Sequence, residues 1–219
     1  MHIGVLGGTG PAGSGLAARL ASVGAEVTIG SRSEERAAQT CEDITSKWPD
    51  YDLALKAGDN MAAAAADLVV VATPWDAAVP TTRSVREHLD GKVVVSMANA
   101  LAKVGDEFQP LIPPRGSVAA GVQAVCPSAH VAAAFHHLPA RELADIANPI
   151  EGDVLVCSDH PDATDITSRL IRLIPGLRPL DAGRLSNAAP IEAFAAVILQ
   201  LNVRYKTRAA VRITGIDSE

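Results

Sequence analysis

The sequence predicts an α/β fold, a doubly wound and mostly parallel sheet with a small C-terminal extension of helix and strand. Two observations support this prediction. Short apolar segments alternate with helical segments through the first 150 residues, an order typical of parallel sheets. The apolar segments are hydrophobic at successive positions, as at Val69, Val70 and Val71, which indicates strands with helices on both faces.

The first elements are delimited by glycines. The segment HIGVL at 2–6 is apolar and leads into glycines, which is typical of a buried strand. The segment 14–24 places Leu16 and Leu20 one turn apart and ends at Gly24, which predicts a helix. The alternation then predicts strand 26–32, helix 33–48, and strands 67–74, 92–99 and 130–139.

The alternation is weaker after about residue 150. We still expect one domain, in which residues 1–150 form a core and residues 151–219 complete the sheet, because no linker rich in Pro, Gly or Ser separates them. The elements predicted in this part are strand 152–159, helix 162–174, strand 176–183, helix 189–205 and strand 210–215.

Composition narrows the class of protein. The net charge of −6 and the lack of a basic cluster argue against a nucleic-acid partner. No apolar stretch reaches the ~18 residues of a membrane helix, so we expect no membrane partner. Cys41, Cys126 and Cys157 are widely spaced and form no CxxC pair, which predicts a reduced cytoplasmic protein without disulfides.

The turn after the first strand, GGTGPAG at 7–13, indicates a phosphate-binding function. Gly8, Gly10 and Gly13 fit the pattern G-x-G-x-x-G between a strand and a helix, the setting in which it binds dinucleotides. Gly8 would allow the tight turn, Gly10 the approach of a pyrophosphate, and Gly13 close packing of helix on strand. Residues 1–150 are therefore predicted to be a dinucleotide-binding core of the Rossmann type.

The end of the second strand indicates which dinucleotide is bound. Ser31 and Arg32 lie about 20 residues past the glycines, where NAD-binding proteins usually carry an acidic residue. An arginine there pairs with the 2′-phosphate of NADP, and Arg36 lies one turn further along the next helix. The pattern favours NADP(H) over NAD(H); a pair of arginines exposed only to solvent is the alternative.

No standard catalytic constellation is present. Neither Tyr51 nor Tyr205 is followed by Lys four residues later, so the Tyr-Lys pair of short-chain dehydrogenases is absent. His136 and His137 end an apolar segment, where they could donate a proton or serve only a structural role. No third ligand lies at zinc-site spacing, so no metal is expected. Trp75, after Pro74, could pack on the cofactor or be a half-buried loop residue.

Several segments together resemble a known family. GVLGGTGPAGSGLAARLASVGAEVTIGSRSEERA, ATPWDAAV, VVVSMANAL, FHHLPA and GLRPLDAGRLSNA are similar to the NADPH:deazaflavin oxidoreductases, which reduce or oxidise coenzyme F420, an 8-hydroxy-5-deazaflavin. The similarity runs from residue 1 to about residue 202. It implies a homodimer, an NADP site, a deazaflavin cleft completed by residues 151–219, and direct hydride transfer between nicotinamide C4 and deazaflavin C5.

The resemblance also implies roles for individual residues. His136 falls on a family histidine near the ring junction, with a role in orientation or proton relay. Two departures concern Pro11, which removes an N–H donor from the phosphate cradle, and Arg184, which replaces a usual proline near the deazaflavin. The implied NADP contacts are Thr9, Gly10, Pro11 and Ala12 at the pyrophosphate, Ser31, Arg32 and Arg36 at the 2′-phosphate, and Trp75, Val79, Leu101 and Ala140 along the remaining path.

Two other functions are compatible with the same cofactor site. The first is an NADPH-dependent reductase of another acceptor, such as a flavin, an imine or a metal chelate. The second is a non-catalytic module that senses NADP(H) and signals to a partner; a large exposed apolar patch and no second ring-sized cleft would favour it. The resemblance favours the F420 reductase over both.

Overall fold

The computed structural model describes residues 1–216. Its strands are β1 (His2–Leu6), β2 (Glu26–Ser31), β3 (Leu55–Asp59), β4 (Leu68–Val71), β5 (Val93–Ser96), β6 (Leu101–Val104), β7 (Glu107–Pro110), β8 (His130–Ala133), β9 (Gly152–Ser158) and β10 (Leu177–Asp181). Its helices are α1 (Pro11–Ser22), α2 (Glu34–Lys47), α3 (Asn60–Ala64), α4 (Trp75–Ser84), α5 (Val118–Val125), α6 (Ala140–Leu143), α7 (Pro161–Arg172) and α8 (Ala188–Tyr205).

Eight strands form one sheet in the order β10-β9-β8-β5-β4-β1-β2-β3. The six strands from β8 to β3 are parallel, whereas β9 runs antiparallel to β8 and β10 lies parallel to β9. The predicted doubly wound, mostly parallel sheet is therefore confirmed. Strand order reverses between β1 and β4, and ligands of such folds bind in the crevice outside the carboxyl ends of the strands at this point.

Two apolar cores lie on the two faces of the sheet. One contains Leu16 and Leu20 of α1, both fully buried, with side chains of α2 and α7. The other contains Ala78 of α4 and Val122 of α5. The valines of β4 and β5 alternate between these cores, which explains why both strands carry valine at three successive positions. No helix in residues 1–216 is long and apolar enough to cross a membrane.

Several predicted boundaries differ from the structure. Helix α1 begins at Pro11, earlier than predicted, because proline at the first helical position loses no internal hydrogen bond. The predicted strand 130–139 ends at Ala133 because Phe135 adopts a positive φ of 65°. The β6–β7 hairpin, strand β3 and helices α3, α4, α5 and α6 were not predicted individually.

The predicted terminal strand at 210–215 is wrong. Side chains hold this segment to the sheet. The buried Asp153 carboxylate on β9 accepts a hydrogen bond from the Ile213 N–H at 2.6 Å. The same carboxylate accepts from Nε and Nη2 of Arg178, at 2.8 Å each. The hydrogen bond to Arg178 lowers the pKa of the Asp153 carboxyl. The backbone hydrogen bond from the Asp153 N–H to the Val211 C=O, at 2.7 Å, is not part of a β-ladder, so the segment is not a strand.

Candidate cofactor site

The glycine turn after β1 is shaped by close packing. Gly8 was predicted to allow the tight turn. Instead, Gly7 has the left-handed backbone that the turn requires, with a φ of 68°. The Gly8 N–H donates to Gly30 C=O at 2.9 Å, which binds the turn to β2. A Cβ on Gly13 would lie 3.0 Å from Gly8 Cα, as expected for close helix packing. A Cβ on Gly10 would meet no atom nearer than 3.8 Å, so space above the turn is open.

The turn is also held by a residue that the sequence did not indicate. Asn60, the first residue of α3, accepts a hydrogen bond at Oδ1 from the Gly7 N–H at 3.1 Å. Asp59 caps the same helix by accepting from the Ala62 N–H at 2.7 Å. The Asp-Asn pair before an alanine run was the available signal for this short helix.

The end of β2 presents two cations. Arg32 and Arg36 are both exposed, and neither forms an ion pair with a carboxylate within residues 1–216. Ser31 is buried and accepts at Oγ from the Ser33 N–H at 3.2 Å. Ser33 in turn caps α2 by accepting from the Arg36 N–H at 3.2 Å. This serine chain fixes the backbone that carries both guanidinium groups.

Two adjoining cavities run along the carboxyl edge of the sheet. The larger, of about 740 Å³, extends from the glycine turn to the two arginines, and the smaller, of about 320 Å³, extends from the turn toward the hairpin. They share the lining residues Gly10, Ala72, Thr73 and Pro74 and so form one crevice across the switch point. Of the predicted site residues, the larger cavity is lined by Thr9, Gly10, Ser31, Arg32 and Arg36, and the smaller by Gly10, Pro11, Ala12, Trp75 and Leu101.

Unpaired polar atoms lie in the walls of this crevice. Thr73 lines both cavities and is 8% exposed, and its Oγ1 has no hydrogen-bond partner in the described chain. Asn99, in the smaller cavity, donates from Nδ2 to His136 C=O at 2.6 Å, which leaves its buried Oδ1 without a partner in residues 1–216. Buried polar groups are normally paired, so these two atoms are available to accept a hydrogen bond from a water or a ligand.

Trp75 is the first residue of α4, not a loop residue. Its half-buried side chain separates the smaller crevice cavity from a third cavity of about 390 Å³ between α4 and α5. The indole thus forms part of the wall of the crevice, which agrees with packing against a ligand.

Two predicted contacts lie away from the crevice. Val79 lines the third cavity, because it sits on the face of α4 toward α5, where a Cβ on Gly121 would meet it at 2.9 Å. Ala140 begins α6, and its carbonyl packs against Gly15 of α1. Neither residue lines the two cavities of the crevice.

The paired histidines are buried behind the crevice. His136 is 4% exposed, and both of its ring nitrogens lack hydrogen-bond partners in residues 1–216. Burial, with a smaller contribution from His137, lowers the pKa of His136 to about 3. His137 makes a 2.7 Å contact from Nε2 to Asp153 C=O, and burial lowers its pKa also. Both rings are therefore neutral near pH 7.

The loop around Arg184 lies elsewhere than expected. Because β9 is antiparallel to β8, β9 and β10 end at the opposite edge of the sheet from the crevice. Arg184 there lines a cavity of about 540 Å³ with Asp159, Asp165 and Asp181. Arg184 therefore does not lie beside the crevice of its own chain, where the second substrate was expected.

The fold and crevice define a dinucleotide-binding protein of the Rossmann class. The sequence model of the family described as "NADP oxidoreductase coenzyme F420-dependent" matches residues 2–100. The chain is 35% identical to the F420-dependent NADP reductase of Methanocaldococcus jannaschii, covering 99% of this chain and 100% of that protein. It is 36% identical to the reductase of the same name from Methanothermobacter marburgensis, over 99% of each.

A solved structure agrees with these relatives. The crystal structure of a protein from Arthrobacter sp. FB24, described as a proposed F420-dependent NADP-reductase, superposes with a TM-score of 0.79 at 27% identity and covers 97% of this chain and 98% of that chain. On the full-length similarity to the curated relatives, the chain belongs to the F420-dependent NADP reductase family.

Proposed function

We propose that this protein transfers a hydride between NADP(H) and coenzyme F420. The observation that carries the proposal is the two-part crevice at the switch point. Two arginines that form no ion pair within residues 1–216 lie at one end, and a partly apolar cavity lies at the other. The family relatives named for F420 and NADP support the same assignment. They do not favour another acceptor or a purely sensing module.

The larger cavity fits the adenosine and phosphate half of NADP(H). Open space at Gly10 would admit a pyrophosphate to the backbone, and the start of α1 favours negative charge. Pro11 offers no N–H, so the donors there come from the neighbouring backbone. Arg32 and Arg36, which have no carboxylate partner within residues 1–216, would bind the 2′-phosphate. We propose that Thr9, Ala12 and Ser31 also contact NADP(H).

The smaller cavity fits the nicotinamide half. Trp75, Met97 and Leu101 supply apolar surface, while Thr73 Oγ1 and Asn99 Oδ1 supply unpaired polar atoms beside it. These side chains would orient the ring and keep water from it. The two bound rings supply the redox chemistry, a hydride passing between nicotinamide C4 and deazaflavin C5. We propose that Val79 and Ala140 support this region from behind, since they line neither cavity.

We propose an orienting role for His136 instead of a proton relay. Its carbonyl accepts from Asn99 at 2.6 Å and so fixes the direction of the amide oxygen. Its ring is buried and neutral near pH 7, and hydride transfer between two rings requires no imidazolium. His136 therefore acts through its backbone carbonyl, which orients the Asn99 side chain.

We further propose a homodimer in the cytoplasm. Phe194, Val197 and Leu201 on α8 are 38%, 50% and 37% exposed and share one helix face by their spacing, which supports an interface. Residues 151–219 would then complete the second-substrate cleft in the assembled protein. Cys41, Cys126 and Cys157 are free, in keeping with a reducing compartment.

The proposal is tested by mixing the purified protein with NADPH and oxidised coenzyme F420 and following the visible absorbance of the deazaflavin. Bleaching with NADPH, and much slower bleaching with NADH, is expected. Tight NADPH binding without bleaching would retain the dinucleotide site and reject F420 as the acceptor.

A further inference from the structure

A second cluster of polar side chains lies at the sheet edge opposite the crevice. His130 begins β8, His160 follows the end of β9, and Asp162 lies in the first turn of α7. Because β9 is antiparallel to β8, its end lies beside the start of β8. His130, His160 and Asp162 therefore lie together, although His130 and Asp162 are 32 positions apart in the sequence.

The geometry of this cluster approaches that of a metal site. The His130 and His160 rings are stacked, with centroids 4.4 Å apart and planes within 3°. His130 Nδ1 lies 2.6 Å from Asp162 Oδ2. One ligand atom from each residue lies within 4.8 Å of the others. Ligand atoms of a tetrahedral zinc ion stand about 3.3–3.8 Å apart. Because an imidazole binds a metal in the plane of its ring, one of the two stacked rings has to rotate out of the stack to bring all three ligand atoms onto one ion.

The backbone around the cluster is held in place. Ser158 Oγ accepts from the His160 N–H at 3.0 Å and donates to Val131 C=O at 2.6 Å. This buried hydroxyl fixes the His160 loop against β8, the strand that carries His130. The backbone that carries the two imidazoles is thus positioned before any ion binds, which reduces the entropic cost of binding.

The charged side chains around the cluster include more carboxylates than cations. Asp159, Asp165 and Asp181 line the adjoining 540 Å³ cavity with Arg184. Asp162 lines a second cavity, of about 470 Å³, with Asp67, Lys92 and Arg169. The residues at this edge therefore combine two imidazole side chains with several carboxylates.

We propose that His130, His160 and Asp162 form a binding site for a divalent transition-metal ion, of the class of Zn²⁺. Two imidazole nitrogens and one carboxylate oxygen suit zinc, nickel or copper better than magnesium or calcium, which prefer oxygen alone. The remaining position belongs to solvent. The ion would join β8 to the start of α7. The proposal is independent of the hydride-transfer activity, because the site lies at the other edge of the sheet.

The test is calorimetric titration of ZnCl₂ into the chelator-treated, full-length protein at neutral pH. One site per chain is expected, and His160→Ala and Asp162→Asn should each weaken binding by about tenfold or more. His88→Ala, which removes an exposed histidine outside the cluster, should bind zinc as the unmodified protein does. MgCl₂ should give no binding.

Thermal unfolding gives a second readout. Zinc should raise the Tm of the unmodified protein and of His88→Ala, and leave that of His160→Ala unchanged. Circular dichroism without metal checks that each variant is folded; if His160→Ala is not, His160→Gln takes its place. The proposal is overturned if the unmodified protein binds no zinc, or if the cluster variants bind it as tightly as His88→Ala does.

Discussion

Asn60 Oδ1 accepts a hydrogen bond from the Gly7 N–H across 3.1 Å. The contact joins the start of α3 to the glycine turn, 53 residues earlier in the sequence. Gly7 has a positive φ of 68°, and a Cβ there would lie 2.4 Å from Thr73 Cγ2. The shape of the phosphate-binding turn therefore depends on a side chain outside the glycine motif.

Replacing Asn60 with alanine should weaken NADPH and NADH binding alike. The part-buried Gly7 N–H loses its acceptor, at a cost of about 0.5–1.5 kcal/mol, and the turn loses a contact that fixes its conformation. Dissociation constants measured by titration should rise by about five- to tenfold for both dinucleotides. Asn187→Ala, which removes an amide that bonds a carbonyl at the opposite edge, is the matched control. Loss of NADPH binding alone would contradict this account of Asn60.

Arg32→Ala should affect NADPH much more than NADH. A charged hydrogen bond to the 2′-phosphate contributes about 1.5–3 kcal/mol, so the NADPH dissociation constant should rise about ten- to a hundredfold. Arg36→Ala should act in the same direction. Arg172→Ala, an exposed arginine on α7, should change neither constant. Equal loss of NADPH and NADH would remove the 2′-phosphate assignment.

Glu192 should make folding stability fall as pH rises. Its carboxylate on α8 accepts from the Val118 and Ala119 N–H groups of α5 at 2.8 and 3.0 Å, yet burial raises its pKa from 4.5 to about 7. The folded state thus holds the proton more tightly than the unfolded state. This contribution is fully present below pH 4.5 and is lost as pH rises to about 7, by about 3 kcal/mol.

Urea unfolding across that pH window measures the effect. The Glu192→Gln protein should lose this part of the pH dependence, because the amide does not titrate. Glu107→Gln, an exposed residue of the hairpin, should keep the slope of the unmodified protein. An unchanged slope in Glu192→Gln would show that the buried carboxyl is not responsible.

Changing the His136 ring should leave the pH dependence of turnover intact. With a pKa of about 3, the ring does not titrate near neutrality and relays no proton there. His136→Phe keeps the backbone carbonyl that accepts from Asn99, so kcat should change little and the pH profile of kcat should keep its shape. Disappearance of an ionisation from the profile in this variant would restore the proton-relay role.

A charge on the exposed face of α8 should change the oligomeric state. Val197 is 50% exposed between Phe194 and Leu201, so Val197→Glu would bury a carboxylate in the proposed interface. Sedimentation should give a dimer for the unmodified protein and a monomer for this variant, with Met61→Glu, an exposed residue of α3, as control. Identical sedimentation of Val197→Glu and the unmodified dimer would exclude this face.

The features predicted correctly from the sequence are local ones. A strand, a glycine turn and a helix in succession depend on neighbouring residues, and Arg32 follows the second strand directly. The apolar segments also predict the parallel sheet, because helices cover both faces of β4 and β5. Such patterns need no knowledge of distant contacts.

The features that were missed depend on the tertiary structure. Strand β3 contains exposed Lys56 and pairs only at the sheet edge, so it lacks an apolar signal. The role of Asn60 appears only once α3 packs beneath the glycine turn. His136 is adjacent to a strand in sequence, but the reversal at Phe135 precedes its burial behind the crevice.

Isotope transfer tests the central claim most directly. NADPH carrying deuterium at both C4 positions would be incubated with oxidised coenzyme F420 and the protein in ordinary water, and the reduced deazaflavin analysed by mass spectrometry and NMR. Direct transfer predicts one deuterium at C5 in each reduced molecule. Reduced deazaflavin that carries only solvent hydrogen at C5 would contradict direct hydride transfer in the crevice.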